Sequence, residues 1–161
     1  MKEMRYFMII FIACLVTDQI IKYIIIAIAK PTSLDDNLIM IADMPVISIA
    51  LVFNKGVAFS FFTWLGEWLK FIQLGLIALI IGILYTQKQL FKSHYIAFAL
   101  MISGGTSNIL DRFLHGGVVD YIYWHYGFDF PIFNFADILI DCGIGLFILQ
   151  TFFLHKKDKI A

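Results

Sequence analysis

Charge is scarce in this 161-residue sequence, because only 15% of its residues are Asp, Glu, Lys or Arg and 61% are hydrophobic. Soluble domains are about 45–50% apolar, so this composition excludes an ordinary water-soluble fold. The sequence has no run of Lys or Arg that would indicate a nucleic-acid partner, and its formal net charge is zero. Its two cysteines, Cys14 and Cys142, lie in apolar stretches and imply no disulfide or metal framework.

The apolar residues are concentrated in four long blocks. A helix needs roughly 18 or more such residues to cross the hydrocarbon core of a bilayer. We therefore predict an all-α integral membrane protein with a single membrane domain over residues 1–161. The predicted transmembrane helices cover about 6–29, 68–85, 95–114 and 135–154, with outer loops at about 30–67 and 115–134.

Basic residues predict the orientation of these helices. Lys2 and Arg5 precede the first block, Lys88 and Lys92 lie between the second and third, and a basic cluster follows the fourth. Because cytoplasmic loops are enriched in Lys and Arg, both termini are expected in the cytoplasm.

The first outer loop contains a strand pattern. Residues 46–53 are rich in β-branched side chains and place small or polar residues at alternate positions. The turn residues Asn54, Lys55 and Gly56 follow. A small extracytoplasmic β element is therefore predicted.

Several polar side chains interrupt the apolar blocks near their predicted outer ends. An ionisable side chain inside a bilayer costs at least about 2.5–3.5 kcal/mol, so each needs a partner or a function. Asp18 and Lys22 are spaced to form an i, i+4 ion pair, which we interpret as structural. Asn108, Asp111 and Arg112 form one polar stripe, in which the acid and the base pair either with each other or with neighbouring helices.

Asp120 and Asp137 have no basic partner nearby in the sequence and are predicted at the same depth near the outer interface. Two close carboxylates cannot both ionise, so one can act as a base while the other holds a proton. That arrangement suits an aspartic protease, whereas helix capping by Asn134 and general polar packing are the structural alternatives. Asp141 is one turn further along and either pairs with Lys22 or another basic group or raises the proton affinity of Asp137.

Four motifs in order give the chain a resemblance to a known family. The chain resembles the bacterial lipoprotein signal peptidases, or signal peptidase II enzymes, over about residues 5 to 150. The motifs are TDQIIK at 17–22, NKGVAFS at 54–60, GGTSNILDRFLHGGVVDYI at 104–122 and FNFAD at 133–137.

The resemblance implies a multi-pass enzyme of the bacterial inner membrane. It implies cleavage of diacylglyceryl-modified prolipoproteins on the amino side of the lipidated cysteine, with Asp120 and Asp137 as the catalytic dyad. It also implies a β cradle and a surface-lying helix at about 59–68. The remaining matched positions hold substrate and dyad (Asn54, Asn108, Arg112, Asn134) or support the site (Asp18, Lys22, Gly56, Ala58, Asp111). The expected partners are prolipoprotein and membrane lipid, the protein is expected as a monomer, and no metal or cofactor is expected.

Two other classes of function compete with this interpretation. In a four-helix transporter or channel subunit, five charged residues would form an ion relay (Asp18, Lys22, Asp111, Arg112, Asp141). The polar groups gather at the outer helix ends instead of crossing the membrane, and no internal repeat is visible, which argues against a relay. A non-enzymatic membrane scaffold would leave Asp120 unexplained.

Overall fold

The computed structural model describes residues 2–33, 38–56 and 65–158, with side chains to residue 153. Four long helices and three strands follow one another along the chain. They are α1 (Lys2–Ala29), β1 (Ile39–Ala42), β2 (Ile47–Asn54), α2 (Trp68–Thr86), α3 (Lys88–His115), β3 (Val118–Trp124) and α4 (Phe135–Asp158). Ala58 and most of the predicted surface-lying helix fall outside the described residues.

Three helices of the described chain, α1, α2 and α4, are long and apolar enough to cross a membrane, with mean hydropathies of 2.1, 2.0 and 1.7. The protein is therefore a multi-pass membrane protein. α3 is as long as α1 but is not among these three, because its second half carries serine, asparagine, aspartate and arginine side chains. Four transmembrane helices thus stay a prediction.

α3 lies at the centre, and the other three helices each pack against it. Its contact with α4 is close because Gly104 has no side chain. A Cβ added there would lie 2.4 Å from the backbone oxygen of Ala136, which is far inside a normal contact. This close approach brings the polar half of α3 against the beginning of α4.

The three strands form one antiparallel sheet in the order β1-β2-β3. β2 confirms the predicted strand almost residue for residue. β3 lies within the predicted outer loop 115–134, where the sequence analysis predicted no strand. Its β-branched and aromatic residues pair with β2, placing Val52 opposite Asp120 and Asn54 opposite Val118. Asn54 and Asp120 are therefore diagonal neighbours on one face of the sheet.

Two local features carry the chain from α3 through β3 to α4. Gly116 ends α3 with a φ of 70°, a left-handed conformation that glycine adopts without steric cost. After β3, Phe133 returns to bridge Ile122 through backbone hydrogen bonds of 2.8 and 3.0 Å. This bridge fixes Asn134, at the beginning of α4, beside the strand that carries Asp120.

Candidate active site

The beginning of α4 is capped by side chains at each of its first backbone N–H groups. The side chain of Asn134 accepts a hydrogen bond from the N–H of Asp137 at 2.9 Å, and the Asp137 carboxylate accepts one from the N–H of Asn134 at 3.1 Å. This reciprocal pair is a capping box. The intervening N–H groups of Phe135 and Ala136 donate to the Tyr121 hydroxyl and the Asp18 carboxylate. Helix capping, considered above as an alternative to a site, therefore fixes the position of Asp137.

The Asp120 side chain is held from both sides by amides. Asn54 Nδ2 donates to Asp120 Oδ2 at 2.9 Å, and Asn134 Nδ2 donates to Asp120 Oδ1 at 2.7 Å. Asp120 is only 3% exposed, so these two bonds replace most of its contact with water. The carboxylate is thereby fixed in one orientation next to the beginning of α4.

Two asparagines connect the two carboxylates. Asn134 bonds both acids, through its side chain to Asp120 and through its backbone and side chain to Asp137. Asn108 donates to Asp137 Oδ1 at 2.8 Å and accepts from Asn134 at 3.2 Å. Asp120 and Asp137 therefore belong to one hydrogen-bond network made of neutral amides, with no cation bonded to either acid within the described chain.

Burial and mutual repulsion alter the proton affinity of Asp120. Burial raises the pKa of Asp120 to about 7, and the negative charge of Asp137 adds to this rise. The hydrogen bonds from Asn54 and Asn134 act in the opposite direction because they favour the ionised form. A carboxyl group that holds its proton near neutral pH beside a second carboxylate can donate a hydrogen bond or a proton.

Lys22 lies at the centre of a second, deeper polar cluster. Its Nζ is 2.7 Å from Asp18 Oδ2 and 2.6 Å from Asp111 Oδ2, and it donates to Asn108 Oδ1 at 3.0 Å. The predicted ion pair with Asp18 is present, and Asp111 joins it. Lys22 is 1% exposed and Asp18 is 0% exposed, so the ammonium group directs all of its donors into the protein.

This deeper cluster ties three helices and the sheet together. Asp18 also accepts from Ser107 at 2.5 Å and from the N–H of Ala136 at 2.9 Å. Asp111 accepts from Gln19 at 2.9 Å and from the N–H of Val119 at 3.2 Å. Lys22 reaches the active-site network through Asn108, so the cluster also positions an amide that holds Asp137.

Arg112 donates hydrogen bonds to backbone oxygens. A guanidinium group is well suited to a carboxylate, but no carboxylate is hydrogen-bonded to Arg112 among the described residues. Its Nη1 donates to the carbonyl of Asn54 at 3.3 Å, and its Nη2 donates to the carbonyl of Gly56. The side chain of Asn54 in turn accepts from the N–H of Gly56 at 2.9 Å. Arg112 thus fixes the turn after β2, which aims Asn54 at Asp120, and its charge interacts electrostatically with both acids.

Asp141 does not pair with Lys22, which corrects one of the two sequence interpretations. Its side chain is exposed, whereas Lys22 is enclosed by Asp18 and Asp111. Asp141 lines a cavity of about 460 Å³ that also contains Asp120 and Asp137 in its wall. The cavity lies beside the acids, which leaves room for a substrate segment at the dyad.

Sequence reasoning missed three supporting side chains, namely Gln19, Ser107 and Tyr121. Ser107 and Gln19 complete the shell around the two inner acids, and Tyr121 caps α4. The spacing of Ser107 and Asp111 at i, i+4 on one helix face could have indicated the role of Ser107. No sequence pattern indicated the role of the Tyr121 hydroxyl, because the Ile122–Phe133 bridge is what brings the N–H of Phe135 to it.

The sequence matches the family model described as "Signal peptidase (SPase) II" over residues 10–153. Among similar proteins, the lipoprotein signal peptidase of Helicobacter pylori (strain Shi470) is 47% identical over 158 residues, covering 98% of this chain and 94% of that protein. The lipoprotein signal peptidase of Wolinella succinogenes is 56% identical over 110 residues, covering 68% of this chain and 75% of that protein.

The fold is similar to that of a solved bacterial membrane enzyme, determined by the in meso method at 2.3 Å resolution. That structure is 27% identical in sequence with a TM-score of 0.75, and the match covers 91% of this chain and 87% of the other. A second bacterial membrane enzyme, solved at 1.9 Å, matches with a TM-score of 0.72. By sequence over nearly its whole length, this chain belongs to the signal peptidase II family of proteases.

Proposed function

We propose that the chain is an aspartic endopeptidase that removes the signal peptide from diacylglyceryl-modified prolipoproteins. In this proposal it cuts on the amino side of the lipidated cysteine and uses Asp120 and Asp137 as its catalytic dyad. The observation that carries the proposal is the amide network in which Asn134 bonds both carboxylates at the edge of a cavity. The names of its relatives supply the substrate class.

The proposed mechanism uses one proton shared between the two acids. The ionised carboxylate removes a proton from water while the water oxygen bonds to the scissile carbonyl carbon. The protonated carboxyl of the pair donates its proton to the carbonyl oxygen, and the raised pKa of Asp120, about 7, supports a proton held by the dyad near neutral pH. When the tetrahedral intermediate collapses, the C–N bond breaks and the leaving amine takes the proton that the first carboxylate removed from water. One hydroxyl of the intermediate returns its proton to the other carboxylate, so the dyad again holds one proton.

Neutral amides suit this role better than a lysine or arginine bonded to the dyad. A cation in direct contact would favour two ionised carboxylates and remove the acid from the reaction. The amides of Asn54, Asn108 and Asn134 fix the geometry without forcing that outcome. The fixed geometry lowers the entropy cost of aligning water and peptide.

The proposed location is the outer face of the bacterial cytoplasmic membrane, with both termini in the cytoplasm. The positive-inside pattern supports this orientation. A lipid-anchored substrate can then keep its acyl chains in the bilayer while its peptide bond lies at the interface. The ion-relay alternative is less well supported, because Lys22 is enclosed by Asp18, Asp111 and Asn108 and meets no water-filled path among the described residues.

A gel-shift cleavage assay tests the proposal. Purified protein in detergent is given a diacylglyceryl-modified prolipoprotein, with the unlipidated form and the Asp120→Asn variant run alongside. We expect cleavage of the lipidated substrate only, and only by the native protein. Equal cleavage by the variant would remove Asp120 from the dyad, and no cleavage by well-folded native protein would favour flux assays for an ion pathway.

A further inference from the structure

One polar side chain in α2 has no role in the network described above. Between Lys70 and Tyr85 every residue of α2 except Gln73 is apolar or glycine, in a helix with a mean hydropathy of 2.0. The Oε1 atom of Gln73 is buried and has no hydrogen-bond partner among the residues that the structure describes. An unsatisfied buried acceptor is costly, and more so in a helix that crosses a membrane.

Gln73 lines the same 460 Å³ cavity as the two acids. α2 and α4 both pack against α3, and both contribute to the lining of the cavity, α2 through Gln73 and α4 through Asp141. Asp141 is one helical turn beyond Asp137, about 6 Å further along the axis of α4. The two side chains therefore extend the site away from the amide network and along the membrane-spanning part of the helices.

The chemistry of these two side chains selects one kind of ligand. The carboxylate of Asp141 and the buried Oε1 of Gln73 are hydrogen-bond acceptors, so the ligand that fits this part of the cavity is one that offers donors. The ester oxygens of a diacylglyceryl group are acceptors only and cannot satisfy them. A peptide chain that is extended for cleavage, in contrast, exposes main-chain N–H groups that no helix satisfies, and these need acceptors in a poorly solvated site.

We propose that Gln73 and Asp141 form a substrate subsite that accepts hydrogen bonds from main-chain N–H groups of the signal peptide next to the scissile bond. This inference rests on the proposed function, since it assigns the peptide segment that such an enzyme must hold. Gln73 and Asp141 are positioning residues here and take no part in proton transfer. The subsite holds the signal-peptide side of the substrate between α2 and α4.

The first test separates substrate binding from turnover by steady-state cleavage of the lipidated prolipoprotein. Gln73→Met keeps the length of the side chain and removes the acceptor, and we expect KM to rise by about threefold to tenfold with little change in kcat. Gln150→Met is the matched control, because Gln150 also has a buried unpartnered Oε1 but lies outside the cavity. An unchanged KM in Gln73→Met, or an equal rise in the control, would overturn the proposal.

Asp141→Asn distinguishes the subsite from an effect on the dyad. If Asp141 binds substrate, KM rises and the pH profile of kcat keeps its shape. If it acts through the proton affinity of Asp137, the pH profile moves and KM does not, which would remove Asp141 from the subsite.

The last test identifies the donor on the substrate. Lipidated synthetic peptides, each with one N-methylated amide upstream of the cleavage site, are bound to the inactive Asp120→Asn protein. We expect one methylated position to weaken binding by about threefold to tenfold, and this loss to disappear in the Asp120→Asn/Gln73→Met protein. A loss that persists in the double variant would contradict the subsite. Because this assay needs no turnover, it separates failure of the subsite from failure of the proposed protease activity, which the native protein's cleavage assay reports.

Discussion

The protein contains two pairs of carboxylates with opposite surroundings. Asp18 and Asp111 have Lys22 between them, at 2.7 and 2.6 Å, and both acids are fully buried. Asp120 and Asp137 are joined only by neutral asparagine amides, and they line a cavity. Asp18 and Asp111 share one cation, and their burial leaves no room for a substrate. The charges of Asp120 and Asp137 repel each other, and the cavity that they line leaves space for a ligand.

The comparison shows why similar side chains serve different purposes a short distance apart. A lysine between two acids forms two buried ion pairs, which suits a permanent structural link. Amides hold the other two acids without supplying a charge, which in the proposed mechanism allows them to share one proton near neutral pH. Asn108 touches both groups, since it accepts from Lys22 and donates to Asp137. Through Asn108, the cluster around Lys22 therefore helps to fix the position of Asp137.

The largest expected effect comes from neutralising one acid of the pair that lines the cavity. Asp137→Asn should lower kcat by at least about a hundredfold, because the amide cannot exchange a proton with water. The melting temperature should fall only modestly, since an asparagine side chain still accepts the N–H of Asn134 and loses only the hydrogen bond from Asn108. Gel-shift rates and thermal melts in detergent measure both. Near-normal turnover would assign the chemistry to another group.

Substitutions in the buried cluster of Asp18, Lys22 and Asp111 should lower the stability of the protein. Lys22→Met leaves two buried carboxylates without their cation, and a broken buried ion pair costs about 3–5 kcal/mol. We expect a much lower yield of folded protein and a lower melting temperature. Asp18→Asn should act in the same direction by leaving Lys22 with one acid. Unchanged melting temperatures in both variants would show that the ion pairs of Lys22 do not stabilise the fold, and would contradict a structural role for Asp18 and Asp111.

Asp120 and Asp137 should also give the enzyme a pH dependence. Because the pKa of Asp120 is raised to about 7, deprotonation above that pH leaves two ionised acids, and kcat/KM should fall. The apparent pKa belongs to the pair rather than to one residue. A pH–rate profile measures this limb. Activity that stays constant from pH 6 to about 9 would contradict the shared proton.

The same shift predicts a change of stability with pH. The pKa of Asp120 is higher in the folded protein than the value of about 3.9 in an unfolded chain. Its contribution to the free energy of unfolding is therefore fully present below about pH 4 and is lost as the pH rises through about 7. Thermal melts of native and Asp120→Asn protein across this range should differ in slope. Parallel curves would contradict the raised pKa.

A smaller effect should sharpen the comparison from within the site of Asp120 and Asp137. Asn54→Ala removes one of the two amide bonds that favour ionised Asp120. The pKa of Asp120 should rise further, moving the alkaline limb of the pH–rate profile to higher pH, and kcat should fall by about tenfold. Ser107→Ala, in the buried cluster around Lys22, is the matched control and should leave the pH profile in place. A limb that moves equally in both variants would show that the two pairs are not separate.

Composition alone determined the class of protein, because long apolar blocks in a chain with 15% charged residues can be buried only in lipid. Local spacing predicted the ion pair of Asp18 and Lys22, since residues at i and i+4 share a helix face. The motifs singled out Asp120 and Asp137. In each case the informative residues are neighbours in the sequence or repeat with the period of a helix.

Only the tertiary structure decided which partner each polar group has. Lys22 takes Asp111 from a helix 89 positions further along the chain, and Arg112 bonds backbone carbonyls instead of a carboxylate. The amide bridge between the dyad acids depends on β3, a strand that sequence reasoning missed, and on the Ile122–Phe133 contact that returns the chain to it. These contacts are long-range, and local pattern carries no information about distances across the fold. The sequence by itself therefore determined which polar residues stand out in the apolar chain. The packing of α3 against α1, α4 and the sheet decided that Asp18 and Asp111 are buried around Lys22, whereas Asp120 and Asp137 line a cavity.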